Sequence, residues 1–140
     1  MNAQAPDPVL SSNMANVHLT VSVSGIRNDK GRVFVQLLNA PAGFPRQSDK
    51  AYNNVAIDAN KAVSGLVTAN YSDLAPGTCA ISILHDENRN GRMDTNALGI
   101  PNEGWADSNN VITHMHAPSY DQASVQLPLS GQTIPIALRY

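Results

Sequence analysis

Five residues in the middle of the chain, Asp86, Asn88, Asn90, Gly91 and Asp94, stand in the order D-x-N-x-N-G-x-x-D within HDENRNGRMDTN, His85 to Asn96. Alternate residues of a tight loop can turn their side-chain oxygens toward one centre, and a hard cation such as calcium takes about six to eight oxygens at roughly 2.3–2.6 Å. The spacing predicts that Asp86, Asn88 and Asn90 face a calcium ion and that Gly91 permits the bend. Arg92 would offer its backbone carbonyl, and Asp94 would return directly or through a water. Glu87, Arg89 and Met93 fall between these positions and are expected to point away. An EF-hand would carry a bidentate Glu at the twelfth position, where this chain has Ala97, and no helical pattern flanks the loop. It is therefore a different loop, in which Glu103 or Asp107 can supply the missing ligand. Two obligatory carboxylates imply weak binding, with a Kd of about 0.1–1 mM. The same residues also suit a metal-free turn in which Asp and Asn bond their own backbone.

Two further constellations carry chemistry. LGIPNEGWADSNN sets the only tryptophan, Trp105, among Glu103, Asp107, Ser108, Asn109 and Asn110. An indole there can stack on a glycan or a peptide while its polar neighbours fix orientation. Alternatively it covers one end of the fold, and the Asn side chains satisfy loop backbone. In HMH, His114 and His116 share one side of an extended segment and could begin a zinc or copper site, with His85, His18 or Met115 as further ligands. Two ligands do not complete such a site, and solvent-facing histidines are the expectation. Asp86, Asp94, Glu103 and His85 can serve as general acids or bases. No G-x-S-x-G, H-E-x-x-H or C-x-x-C accompanies them, so the expectation is a protein that is not an enzyme.

The elements that must position these groups read as strands. Period-two alternation marks VHLTVSV from Val17, RVFVQLL from Arg32, VSGLVTANY from Val63, CAISIL from Cys79, ASVQLPL from Ala123 and TIPIALRY from Thr133. Gly, Pro, Asn and Asp punctuate GIRNDKG, NAPAGFPRQSD, LAPGT and LSGQT between them. RQSDKAY after Pro45 can form one helical turn. About seven short strands with such turns predict an all-β, antiparallel sandwich, with LGIPNEGWADSNN as an ordered loop rather than a strand.

Composition bounds the rest. A chain of 140 residues suits one domain, placed at 16–140 behind a flexible segment 1–15. Hydrophobic residues at 42% and charged residues at 14% are unlike a disordered chain, and a net charge of -2 offers no field for nucleic acid. No window approaches the roughly 18 apolar residues of a membrane helix. Ala3, Gln4 and Ala5 read A-x-A, the pattern at a signal peptidase site, which points to an exported precursor. The single Cys79 excludes an internal disulfide and reads as a buried, inert thiol. The N-x-S triplet Asn70 to Ser72 lies in a strand context and reads as chance.

LAPGTCAISILHDENRNGRMDTNALGIPNEGWADSNN, continued by PSYDQA from Pro118, resembles the central signature of an uncharacterised bacterial family, domain-of-unknown-function family 2141. GIRNDKGRVFVQLLNAPAGFP and the closing Ile134, Ile136, Leu138, Tyr140 alternation extend the similarity over nearly all of Val17 to Tyr140. The resemblance implies an exported protein, periplasmic or secreted, usually made with a signal peptide. It also implies an immunoglobulin-like or transthyretin-like sandwich with no assigned activity. The family's loop motif carries over onto Asp86, Asn88, Asn90, Gly91 and Asp94 unchanged. The chain departs at Cys79, where the family usually has an aromatic residue, and at Trp105, Ala106 and Asp107, where it tends to read Tyr, Gly, Phe.

Overall fold

Alternation of residue type becomes alternation of burial in β1 (Val17–Ser24), where Val17, Leu19, Val21 and Val23 are buried and the residues between them are exposed or half-buried. The structure is a computed structural model that describes residues 17–39, 44, 53–74, 76–90, 103–111, 118–127 and 132–140. After β1 come β2 (Arg32–Leu38), β3 (Asn53–Asp58), β4 (Val67–Leu74), β5 (Gly77–Asp86), β6 (Gly104–Asp107), β7 (Ser124–Leu127) and β8 (Gln132–Ala137). One helical turn, α1 (Tyr120–Ala123), precedes β7 and starts at a capping box in which Ser119 and Gln122 satisfy each other's backbone N–H groups.

The strands form two sheets, β4-β1-β8 and β3-β2-β5-β6, with β7 also paired to β5. Their apolar faces share one core, to which Leu19, Val21, Tyr71 and Ile136 contribute from the first sheet and Val33, Val35, Ile81 and Ile83 from the second. Each such side chain contributes roughly 1.5–3 kcal/mol by leaving water. Tyr71 also crosses between the sheets, donating its hydroxyl to the Val35 carbonyl at 2.9 Å.

The chain is all-β, as its alternation predicts, with four differences in detail. β3 and β6 were not expected as strands. NNVAID has only a short apolar signal and lies at a sheet edge, whereas GWAD becomes a strand by pairing with β5, inside the segment read as a loop. Val63 and Leu66 bridge one another across Ser64 and Gly65, so this part of VSGLVTANY is a turn and β4 starts at Val67. The pairing is not wholly antiparallel, because β1 and β8 run parallel. With eight strands among the described residues, the count exceeds the expected seven by one. The helical turn expected in RQSDKAY and the segment 1–15 with Ala3 to Ala5 lie outside the described residues. Among the described residues no helix is long and apolar enough to cross a membrane.

The loops after β1, β3 and β5 gather at one end. Ile26 N–H donates to the Gly65 carbonyl at 3.1 Å, and Ala59 N–H donates to that of Gly31 at 3.0 Å. Gly31 has φ +66°, and a Cβ there would stand 2.0 Å from the carbonyl oxygen of Asp86. Only glycine lets this backbone lie against the end of β5.

Candidate functional site

β5 is buried along eight consecutive residues, Cys79 to Asp86, so its last two residues carry polar groups into a low-dielectric setting. His85 and Asp86 point to opposite faces. His85 lies on the core side, opposite Val33, while Asp86 lies opposite Arg32 on the other face. Both are 0% exposed.

The imidazole of His85 is held at both nitrogens. A carbonyl oxygen only accepts, so Nε2 donates to Lys30 O at 2.7 Å, and Nδ1 then accepts from the Tyr140 hydroxyl at 2.6 Å. That hydroxyl also accepts from Arg27 N–H at 3.1 Å. Neither nitrogen is left for a metal. Tyr140 further packs against Gly104, where a Cβ would sit 2.5 Å from its Cε2.

Asp86 opens the predicted cation loop. Its Oδ1 accepts from Asn90 N–H at 3.1 Å, a bond shared with Asn88 Oδ1 at 3.2 Å, while Asp86 Oδ2 lies 3.8 Å from Arg32 Nε. Arg89, with φ +60°, supplies the bend that brings Asn90 back. Of the intervening residues, Glu87 and Arg89 enter ion pairs, and Met93 lies outside the described residues. Glu87 is gripped by Arg27 through Nη2 at 2.6 Å and Nε at 3.1 Å, with Asn28 Nδ2 also donating to it. The Arg27 hydrogen bonds hold the Glu87 carboxyl below the usual carboxylate range. Arg89 meets Asp58 at 3.3 Å and the Gly31 carbonyl at 3.2 Å.

The two supplementary carboxylates separate cleanly. In the β5–β6 register His85 opposes Gly104 and Ser82 opposes Asp107. One more pair along, Glu103 falls beside Asp86, and its Oε2 indeed accepts from Glu87 N–H at 2.9 Å. Glu103 is 4% exposed. Asp107 is also buried but lies at the far end of β6, opposite Ser82, too far along the sheet to share a centre with Asp86. Gly91, Arg92 and Asp94 lie outside the described residues, as do His114, Met115 and His116. Among the described residues no three His, Cys, Asp or Glu side chains gather as a metal site.

The Trp105 segment is tied into the fold. The Arg139 guanidinium stands 4.1 Å from the Trp105 ring centroid, and the two residues exchange backbone hydrogen bonds of 2.9 and 3.0 Å. Ser108 is fully buried, accepts from Ile81 N–H at 2.9 Å and donates to the Ala123 carbonyl. Asn109 donates to the Gln122 and Ser124 carbonyls at 3.1 and 2.9 Å, and Asn110 accepts from Ala137 N–H at 3.0 Å. These polar side chains clasp β5, β7 and β8 together. Sequence reasoning missed Arg32, Arg27 and Tyr140. Their partners are distant in the chain, and only the strand register brings them together.

A model of a family described as an uncharacterized protein conserved in bacteria matches residues 21–135. No curated protein and no solved structure matches the chain.

Proposed function

The chain belongs to the bacterial domain-of-unknown-function family 2141, and from that membership and the end of β5 we propose an exported, non-catalytic β-sandwich of immunoglobulin-like or transthyretin-like type whose Asp86 loop binds calcium. One observation carries the calcium reading. Asp86 and Glu103 are both buried, the Glu103 carboxylate on the amide of Glu87 next to Asp86, and the Asp86 carboxylate 3.8 Å from the Arg32 guanidinium. Two buried carboxylates on neighbouring segments repel, and a divalent cation would relieve that repulsion.

The donor set supports a hard ion. Asp86, Asn88, Asn90 and Glu103 offer only oxygen, with Arg92 and Asp94 as further ligands from the rest of the loop, and nitrogen or sulfur ligands for zinc or copper are missing from this set. Calcium supplies charge neutralisation and a tie between the end of β5 and the connection to β6. The first half of the loop is already bent by the Asn90 hydrogen bonds, so little ordering cost remains there. Export accords with the Ala3-Gln4-Ala5 triplet and with the millimolar calcium affinity that extracellular sites carry. The role we assign is structural, holding the loop end of the sandwich for a protein, peptide or glycan partner.

Thermal unfolding during calcium titration tests this. The wild type should melt several degrees higher at about 5 mM calcium than in chelator, and Asp86→Ala should stay folded without that response. Equal melting in calcium and chelator would return the loop to a hydrogen-bonded turn.

A further inference from the structure

We propose that the free edge of β4 docks a second copy of this chain, which adds its own β4 antiparallel and joins two β4-β1-β8 sheets into one. This surface makes no use of calcium. Trp105 and Arg139 bridge β6 to the chain just after β8, which closes one side of the sandwich. The other side ends in β4 and β3.

Register fixes which backbone groups β4 turns outward. Ser24 of β1 accepts from Leu138 N–H, on the β8 side, at 2.9 Å, and successive strand residues direct their backbone groups to alternate edges. Ser24, Ser22 and Thr20 therefore serve β8, and Val23, Val21 and Leu19 serve β4. The β4 partners of this second set are Val67, Ala69 and Tyr71. Thr68 and Asn70 are left with N–H and C=O directed away from β1. The same parity turns Leu66 outward, and its N–H and C=O are indeed taken by Val63, at 3.1 and 3.0 Å. Beyond that turn, no strand among the described residues pairs with β4 on this side, and Thr68 and Asn70 are exposed.

An open edge is normally guarded by lysine, by proline or by a bulge that twists it away. β4 reads VTANYSDL, with no basic residue and no proline, one acid near its end, and its irregularity only beyond Tyr71. Thr68 and Asn70 are neutral, as are Ser22 and Thr20 beside them in β1. Two copies of net charge -2 can thus meet along a seam that carries no charge of its own.

Apolar side chains gather on the same side. Val63 is 75% and Leu66 41% exposed, and both stand at the turn that leads into β4. The Val55 and Ile57 side chains of β3 pack on the core but are only partly buried, whereas Val33 and Val35 of β2 are closed off completely. A stable dimer needs roughly 800 Å² from each partner, more than one strand edge supplies, so this apolar fringe belongs to the contact. It also favours a whole second copy over a lone peptide strand. Antiparallel pairing of a strand with itself is twofold symmetric, so a single axis repeats every contact.

Sedimentation of the full chain over about a hundredfold range of concentration tests this. The wild type should reach twice the mass of one chain at the upper end. Asn70→Pro removes an outward N–H that the single chain does not use, and is expected to remain folded and sediment as one chain throughout. Asn70→Lys places like charges at the seam and should weaken association by at least about tenfold, less so at high salt. A wild type that stays a single chain at every concentration would overturn the proposal. So would a dimer that Asn70→Pro leaves intact, since its interface then lies elsewhere. Should Asn70→Pro fail to fold, Asn70→Lys decides, and association as strong as wild type would count against the β4 edge.

Discussion

The Tyr140 hydroxyl lies 2.6 Å from Nδ1 of His85, and the two rings meet edge to face at 79°. Through this contact the C-terminal residue bolts the end of β5 to the loop after β1, because the same hydroxyl takes the Arg27 amide and the Arg27 guanidinium stacks on the Tyr140 ring at 4.2 Å. Tyr140→Phe keeps the ring but leaves a fully buried imidazole nitrogen without its donor. We expect a loss of about 1–3 kcal/mol in urea unfolding. A variant within about 0.3 kcal/mol of wild type would mean that the hydroxyl bonds are not what holds this corner.

The Arg27–Glu87 pair predicts a pH signature. Arg27 hydrogen bonds hold the folded carboxyl below its ordinary value of 4.5. The resulting stabilisation is present in full above that ordinary value and is lost as pH falls through the lower folded one. Since the Arg27 side chain is 46% exposed, the pair contributes less than about 1 kcal/mol. Urea unfolding of wild type and Glu87→Gln should differ by this amount near neutrality, and the gap should close as pH falls below the ordinary carboxyl value of 4.5. A gap that widened on acidification would contradict the assignment.

Cys79 offers a third check. The side chain is 2% exposed in the core, and burial pushes its thiol up to about 11. A thiol-specific disulfide reagent at about pH 8 should leave the native protein unlabelled and should react with one equivalent once denaturant is added. Rapid labelling of native protein would show that β5 opens locally at its start.

Alternation along the chain was enough to locate most strands, because a half-buried strand writes its face into every second residue. β2 coincides with RVFVQLL, and β1 with VHLTVSV extended by one residue. β6 was illegible because GWAD contains one glycine and one acid in four residues, and its extended form comes from the partner strand rather than from its own propensity. The direction of β8 was equally hidden, since parallel and antiparallel neighbours bury the same residues. At the site, local spacing announced Asp86, Asn88 and Asn90. It could not rank Glu103 against Asp107, a choice that turned on four residues of register, nor single out Arg32 among nine basic residues.

The parallel pairing of β1 with β8 joins the first described strand to the last. The edge of β1 that takes β8 is covered only once Gln132 to Ala137 are available to pair with it. Such non-local closure carries the loop entropy of nearly the whole domain, which places folding in the slow regime of about milliseconds to seconds. Until β8 pairs, that edge of β1 stands open to any other extended segment.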